Sequence, residues 1–126
     1  NFSNLKTIFY YVILLSKGGN MLNQIVIAGR LVADPEITVT ENNKKRTHIT
    51  VAVPRSYKNI NGEYETDFID CTLWRGIAET TAEYCKKGDL IGVRGRIQTK
   101  TIEKEDAKKY LTEVIAEKVT FLSSKS

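Results

Sequence analysis

The sequence predicts an all-β fold, and three features carry that prediction. Alternation of apolar and polar residues recurs from Met21 almost to the end of the chain. Only one stretch, Ile77–Lys86, has helical spacing. Turn chemistry such as Asp34-Pro35, Asn61-Gly62 and Gly88 punctuates the pattern.

The elements follow in order. Gln24–Leu31 is a strand with Ile25, Ile27, Gly29 and Leu31 on one side. Asp34-Pro35 bends it, and Glu36–Thr40 resumes it with Ile37 and Val39 inward. A polar turn, Glu41–Lys45, leads to a second strand, Thr47–Val53, which turns Ile49, Val51 and Val53 to one face. Pro54 ends that strand. A long polar connection containing Asn61-Gly62 leads to the third, Thr66–Trp74. There Ile69, Cys71 and Leu73 share one face, and Phe68, Asp70, Thr72 and Trp74 the other. Ile77–Lys86 is a short helix that buries Ile77, Ala78, Thr81, Ala82 and Cys85, with Gly88 as its stop. Leu90–Ile102 is a strand with Ile91, Val93, Gly95 and Ile97 inward and Arg94, Arg96, Gln98, Lys100 and Ile102 outward. Glu103–Lys109 is a charged turn, and Tyr110–Leu122 the last strand. Three strands, one short helix and a closing hairpin is the element order of an OB-fold. That fold is a five-stranded Greek-key β-barrel with one short helix between strands 3 and 4.

The length of 126 residues fits a single such domain, assigned to 21–122, with a short polar end at 123–126. Residues 1–20 read differently. The apolar run Thr7–Leu15 is too short to span a bilayer as a helix, and no small-x-small cleavage site follows it. Lys17-Gly18-Gly19 precedes Met21 closely and can be encoded by a purine-rich ribosome-binding sequence. Residues 1–20 are therefore read as an apolar extension translated from upstream, with Met21 as the natural start. Such an apolar strip is expected to bury against a neighbouring subunit, and no membrane association is expected.

The net charge of +4 is weak evidence for any partner. Lys6 and Lys17 lie in the extension, which has no acidic residue, so the remainder carries 17 basic and 15 acidic side chains, a net +2. What matters is whether the cations share a face. Catalytic chemistry is not expected. The two cysteines, Cys71 and Cys85, and the one histidine, His48, form no metal-ligand spacing. The cysteines sit at apolar positions, as buried free thiols of a cytoplasmic protein do. Gly92-Val93-Arg94-Gly95 opens no helix, so it is no dinucleotide fingerprint. Asp67 and Asp70 fall on opposite faces of a strand. No metal and no cofactor is expected.

Binding a single strand of nucleic acid needs cations along the phosphates and flat rings for the bases. Phe68 and Trp74 point to the outward side of one strand. Tyr57 lies between Arg55 and Lys58 in the preceding connection, and Arg94, Arg96 and Lys100 form a stripe on another strand. From periodicity alone the helix could instead cover Phe68 and Trp74, and the stripe could be an ordinary solvated face.

A chain of motifs decides between these readings. Met21–Leu31 followed by Asp34-Pro35-Glu36 resembles the opening of the bacterial single-stranded DNA-binding proteins. Asp67–Cys71 with Trp74-Arg75-Gly76, Ala82-Glu83-Tyr84 with Lys87-Gly88, and Val93–Ile97 resemble the same family, in order and spacing, as far as Leu122. The resemblance implies an OB-fold, usually a homotetramer, that binds single-stranded DNA in replication, recombination or repair. It implies that Tyr57, Phe68 and Trp74 stack on bases, and that Lys87, Arg96 and Lys100 meet phosphate, with Arg30 a further candidate at the barrel mouth. Arg55, Lys58 and Arg94 complete the basic set. Two departures stand out. Ile102 replaces an aromatic that many members carry, which implies a weaker platform there. The acidic, hydrophobic tip that recruits replication and repair proteins has no counterpart in Phe121–Ser126, which puts such recruitment in doubt. The rival reading is an OB module, such as a primosome accessory protein, that binds protein or RNA with the same aromatics.

Overall fold

A computed structural model describes residues 21–125. The expectations for residues 1–20 lie outside the described residues, as does Ser126. Six strands and a helix follow in sequence: β1 (Ile25–Leu31), β2 (Thr38–Val39), β3 (Lys45–Lys58), β4 (Tyr64–Trp74), α1 (Arg75–Tyr84), β5 (Leu90–Lys104) and β6 (Ala107–Ser123). The sheet order is β1-β5-β6-β4-β3-β2, and an additional β1–β3 pairing closes five of the strands into a barrel. β4 and β6 run parallel, while every other pairing is antiparallel. This is the OB-fold, with its helix after the third barrel strand.

The alternating faces explain the closure. Leu31, Ile49, Val51, Cys71, Leu73, Ile91, Val93, Val114 and Ala116 fill the interior, and Ala78 and Cys85 close one end from α1 and the turn behind it. Both cysteines are free, and burial pushes the Cys71 thiol up to about 11. Two glycines permit the close strand contacts. A Cβ at Gly29 would collide with the carbonyl oxygen of Ala52 where β1 meets β3, and one at Gly95 with that of Ile115. Asn23 extends β1 by proxy, because its side-chain amide donates to the Ile97 carbonyl (2.7 Å) and accepts from the Ile97 N–H (2.9 Å).

Several sequence expectations need correction. Pro54 does not end the strand: β3 continues to Lys58, pairs with β4 and shifts register between Pro54 and Lys58. The pairings with β1 stop at Ala52, so the missing proline N–H falls where only β4 lies alongside. The supposed connection is therefore a hairpin arm, turned at Asn59–Glu63 by the Asn59 side chain and by Gly62 at φ 78°. Ile37 and Val39 do not point inward. β2 is a two-residue strand on the edge of β3, and Val39 is 58% exposed. Ile97 is 43% exposed rather than core, because it lies where β5 and β6 leave the barrel as a second arm. That arm ends in a two-residue turn at Glu105-Asp106, both at positive φ (38° and 67°), and not in a seven-residue one. Positive φ at both positions matches the strand twist, although Glu-Asp lacks the usual Asn-Gly signature. The helix starts directly after Trp74, two residues earlier than expected.

Candidate nucleic-acid interface

β4 sets the site. Its inward residues Cys71 and Leu73 are fully buried, so the strand must turn Phe68, Asp70, Thr72 and Trp74 to the outer face of the barrel wall, where Thr72 is itself buried beside His48 and Glu113. The helix does not cover them. α1 packs over the barrel end through Ala78 and Thr81, leaving Phe68 66% exposed and Trp74 half-buried. The two rings are six residues apart, about 20 Å along the strand.

Cross-strand partners build the surface around them. Arg46 on β3 lies opposite Trp74, and its guanidinium carbon stands 5.6 Å from the ring centroid. His48 lies opposite Thr72, whose hydroxyl is 3.1 Å from His48 Nδ1 and 3.5 Å from a Glu113 carboxylate oxygen. Thr50 donates to Asp70 at 2.7 Å. His48, Asp70, Thr72, Leu111, Thr112 and Glu113 line a groove of about 470 Å³ between the barrel wall and the β5–β6 arm. At the other end, Phe68 pairs with Ala52, and Ala52 with Arg30. Arg30 thus lies two strands from the Phe68 ring, about 10 Å away. It donates to the Gly88 carbonyl at 2.9 Å, in the turn where the Lys87 N–H donates to Asp34 (2.7 Å).

The predicted residues fall into three groups, with Lys87 apart from them. Phe68, Trp74 and Arg30 share the β1–β3–β4 outer wall. Arg94, Arg96 and Lys100 are exposed on one side of β5, and Arg96 reaches the same wall through a continuous row: Arg96 pairs with Ile115, and Ile115 with Thr72. Tyr57 (64% exposed), Arg55 and Lys58 stand on the β3–β4 arm. There Arg55 is engaged: it binds the Asp67 carboxylate through Nε and Nη2 (3.1 and 2.9 Å) and also pairs with Glu65. The Arg55 hydrogen bond holds the Asp67 carboxyl below its ordinary value, and the same contact raises the arginine further. Lys58 lies 5.6 Å from the Tyr64 ring centroid. Lys87 sits in the turn behind α1. Among the described residues, neither Arg30, Arg94, Arg96 nor Lys100 is in an ion pair.

Sequence reading missed Arg46, His48 and two further cations beside Trp74, namely Lys44 and Arg75, which line a pocket of about 290 Å³ with it. The strand pairing that puts Arg46 opposite Trp74 could not be read before the register was known. Among the described residues no cluster of His, Cys, Asp and Glu could hold a metal, and no helix is long and apolar enough to cross a membrane.

A sheet face with aromatic rings beside cations that are unpaired among the described residues is suited to stacking and phosphate contact. Comparison with known proteins agrees with that geometry. The chain is 49% identical over 106 residues to the "Single-stranded DNA-binding protein B" of Bacillus subtilis, covering 83% of this chain and 94% of that protein. It is 48% identical to "Single-stranded DNA-binding protein 3" of Listeria innocua and 47% identical to "Single-stranded DNA-binding protein 1" of Lactococcus lactis, covering 66% and 70% of those longer chains. Residues 22–122, which comprise the whole barrel apart from its last strand residue, match the Single-strand binding protein family, and the chain belongs to that family.

Proposed function

We propose that this chain binds single-stranded DNA with little sequence preference, protecting and organising it during replication, recombination or repair, and that it catalyses nothing. The observation that carries the reading is the outer face of β4, which carries an exposed Phe68 and a half-buried Trp74 beside cations that have no ion-pair partner among the described residues. Stacking on a ring accepts any base, and phosphate contacts carry no sequence information, so the surface is built for affinity without readout. The names of the bacterial relatives support the same ligand. Tyr57, Phe68 and Trp74 supply the stacking. Arg30, Arg94, Arg96, Lys87 and Lys100 supply the phosphate contacts, with Lys58 at the arm. Arg55 is spoken for by Asp67 and Glu65, so its contribution is smaller than its charge implies.

The working unit is a homotetramer acting in the cytoplasm on the nucleoid. The exposed apolar side chains of Met21 and Leu22 before β1 and of Val26 on it support self-association. Light scattering that gives a monomer at micromolar concentration would remove this part of the proposal.

Trp74 is the only tryptophan among six tyrosines, so fluorescence excited selectively at tryptophan reports on the site alone. Titration with oligo-dT should quench it, and a duplex of equal length should bind much more weakly. Trp74→Ala, followed by strand-bound anisotropy, should cost about 1–3 kcal/mol of binding while the barrel stays folded. Affinity unchanged in the folded variant would assign Trp74 to packing and refute the stacking role.

A further inference from the structure

Trp74 is followed by a residue in an unusual state. Arg75 adopts φ 55°, the left-handed region that side chains with a Cβ avoid. It also begins α1, whose first turn has no acidic residue and whose N-cap, Trp74, makes no side-chain cap bond. Nothing in the packing repays the arginine: it is exposed and, among the described residues, in no ion pair. A glycine would hold this backbone without strain. Arg75 nevertheless lines the pocket shared with Trp74 and Lys44.

Lys44, the last residue of the β2–β3 turn, lines the same pocket. It too is free of ion pairs among the described residues, whereas its neighbour Lys45 is bound to Glu79 at 2.8 Å. Arg46 adds a third cation against the ring, and its Nε is buried without a hydrogen-bond partner among the described residues. Three cations thus lie beside one aromatic ring, Arg46 over its face and Lys44 and Arg75 along the pocket it lines, and Glu79, four residues after Arg75, is already occupied by Lys45. Such an arrangement lacks only an anion, held at the distance of a base from its own phosphate.

We infer that Lys44 and Arg75, backed by Arg46, form a phosphodiester subsite that seats the phosphate of the nucleotide stacked on Trp74. The inference rests on the single-strand binding reading and deepens it. It moves part of the electrostatic contact from the β5 stripe to the β2–β3 turn and the start of α1, and it gives the strain at Arg75 a use. The positive end of the uncapped helix adds to the same potential.

The test is the salt dependence of oligo-dT binding. Each phosphate neutralised on a single strand contributes about 0.7 to the slope of log K against log salt. The double variant Lys44→Gln/Arg75→Gln should lower the slope by about 0.7 if the two share one phosphate, and by up to about 1.4 if each holds its own. Lys45→Gln, one residue away and ion-paired, should leave the slope unchanged. Arg75→Gly should separate the two roles: relief of the left-handed strain should raise Tm, while the slope still falls. A slope unaffected by Lys44→Gln/Arg75→Gln, or lowered equally by Lys45→Gln, overturns the subsite. So does an Arg75→Gly variant that is stabilised and binds with an unaltered slope. Failure of the wild-type chain to bind oligo-dT at all would instead refute the single-strand reading itself.

Discussion

The barrel and its two arms are made from the same strands and obey different rules. In the barrel, β3, β4 and β5 bury every second residue, as at Ile49, Val51, Cys71, Leu73, Ile91 and Val93. Beyond Pro54 on β3 and beyond Gly95 on β5 the alternation persists, but it buries little. Tyr57, Tyr64, Ile97, Tyr110 and Leu111 all stand in solvent. Backbone pairing alone holds these segments, helped on the first arm by the Arg55–Asp67–Glu65 contacts. The barrel therefore stores the stability, and the arms and outer wall hold surface for a ligand. A region that pays for no core is free to carry rings and cations.

The largest test of this contrast is truncation. Leu73→Ala removes a side chain with no exposed surface and should cost about 2–5 kcal/mol in denaturant unfolding. Leu111→Ala on the second arm should stay within about 0.5 kcal/mol. Comparable losses would show that the arm is part of the core. Next in size is the wall itself. Phe68→Ala should weaken oligo-dT binding by about 1–3 kcal/mol with little change in Tm, since the ring is two-thirds exposed. A large drop in Tm would mean that Phe68 holds the strands together.

A smaller effect sharpens the division of labour among the cations. Arg96→Gln with Lys100→Gln should reduce the salt slope by up to about 1.4 if both residues touch phosphate, and leave Trp74 quenching at saturation unaltered. A constant slope would leave the β5 stripe to solvent and the phosphate path to the Arg30 and Trp74 ends of the wall. The smallest effect concerns pH. Asp67 has a lowered pKa in the folded chain, so its pairing with Arg55 contributes fully above the ordinary carboxyl value of 3.8 and is lost as pH falls through the lowered one. Amide exchange on the β3–β4 arm should be insensitive to Asp67→Asn well below that range and faster in the variant near neutral pH. Equal exchange at neutral pH would mean that strand pairing alone fixes the arm.

Much of this was legible in the chain. Period-two alternation marked the inward sets of β1, β3 and β4, because one buried face imposes it directly. The same parity placed Phe68 and Trp74 outward, although it could not say whether α1 would cover them. The misreadings share a cause. Pro54 and the charged run Glu103–Lys109 were read as breaks, because local chemistry there disfavours strands. Pairing across an arm overrode that preference, since an edge proline costs no ladder bond and a two-residue turn needs only positive φ. Ile37, Val39 and Ile97 were placed inward because alternation reports a face and not whether anything lies across it.

The sequence by itself determined the fold class, the faces of the barrel strands and the outward parity of Phe68 and Trp74. Each of these follows from side-chain chemistry and a short-range period. Tertiary structure alone decided which side chains meet across strands: Arg46 over Trp74, Arg55 with Asp67, and Lys44 and Arg75 around one pocket. Register is a relation between segments far apart in the chain, and a shift of one residue would have turned each of these groups to the other face.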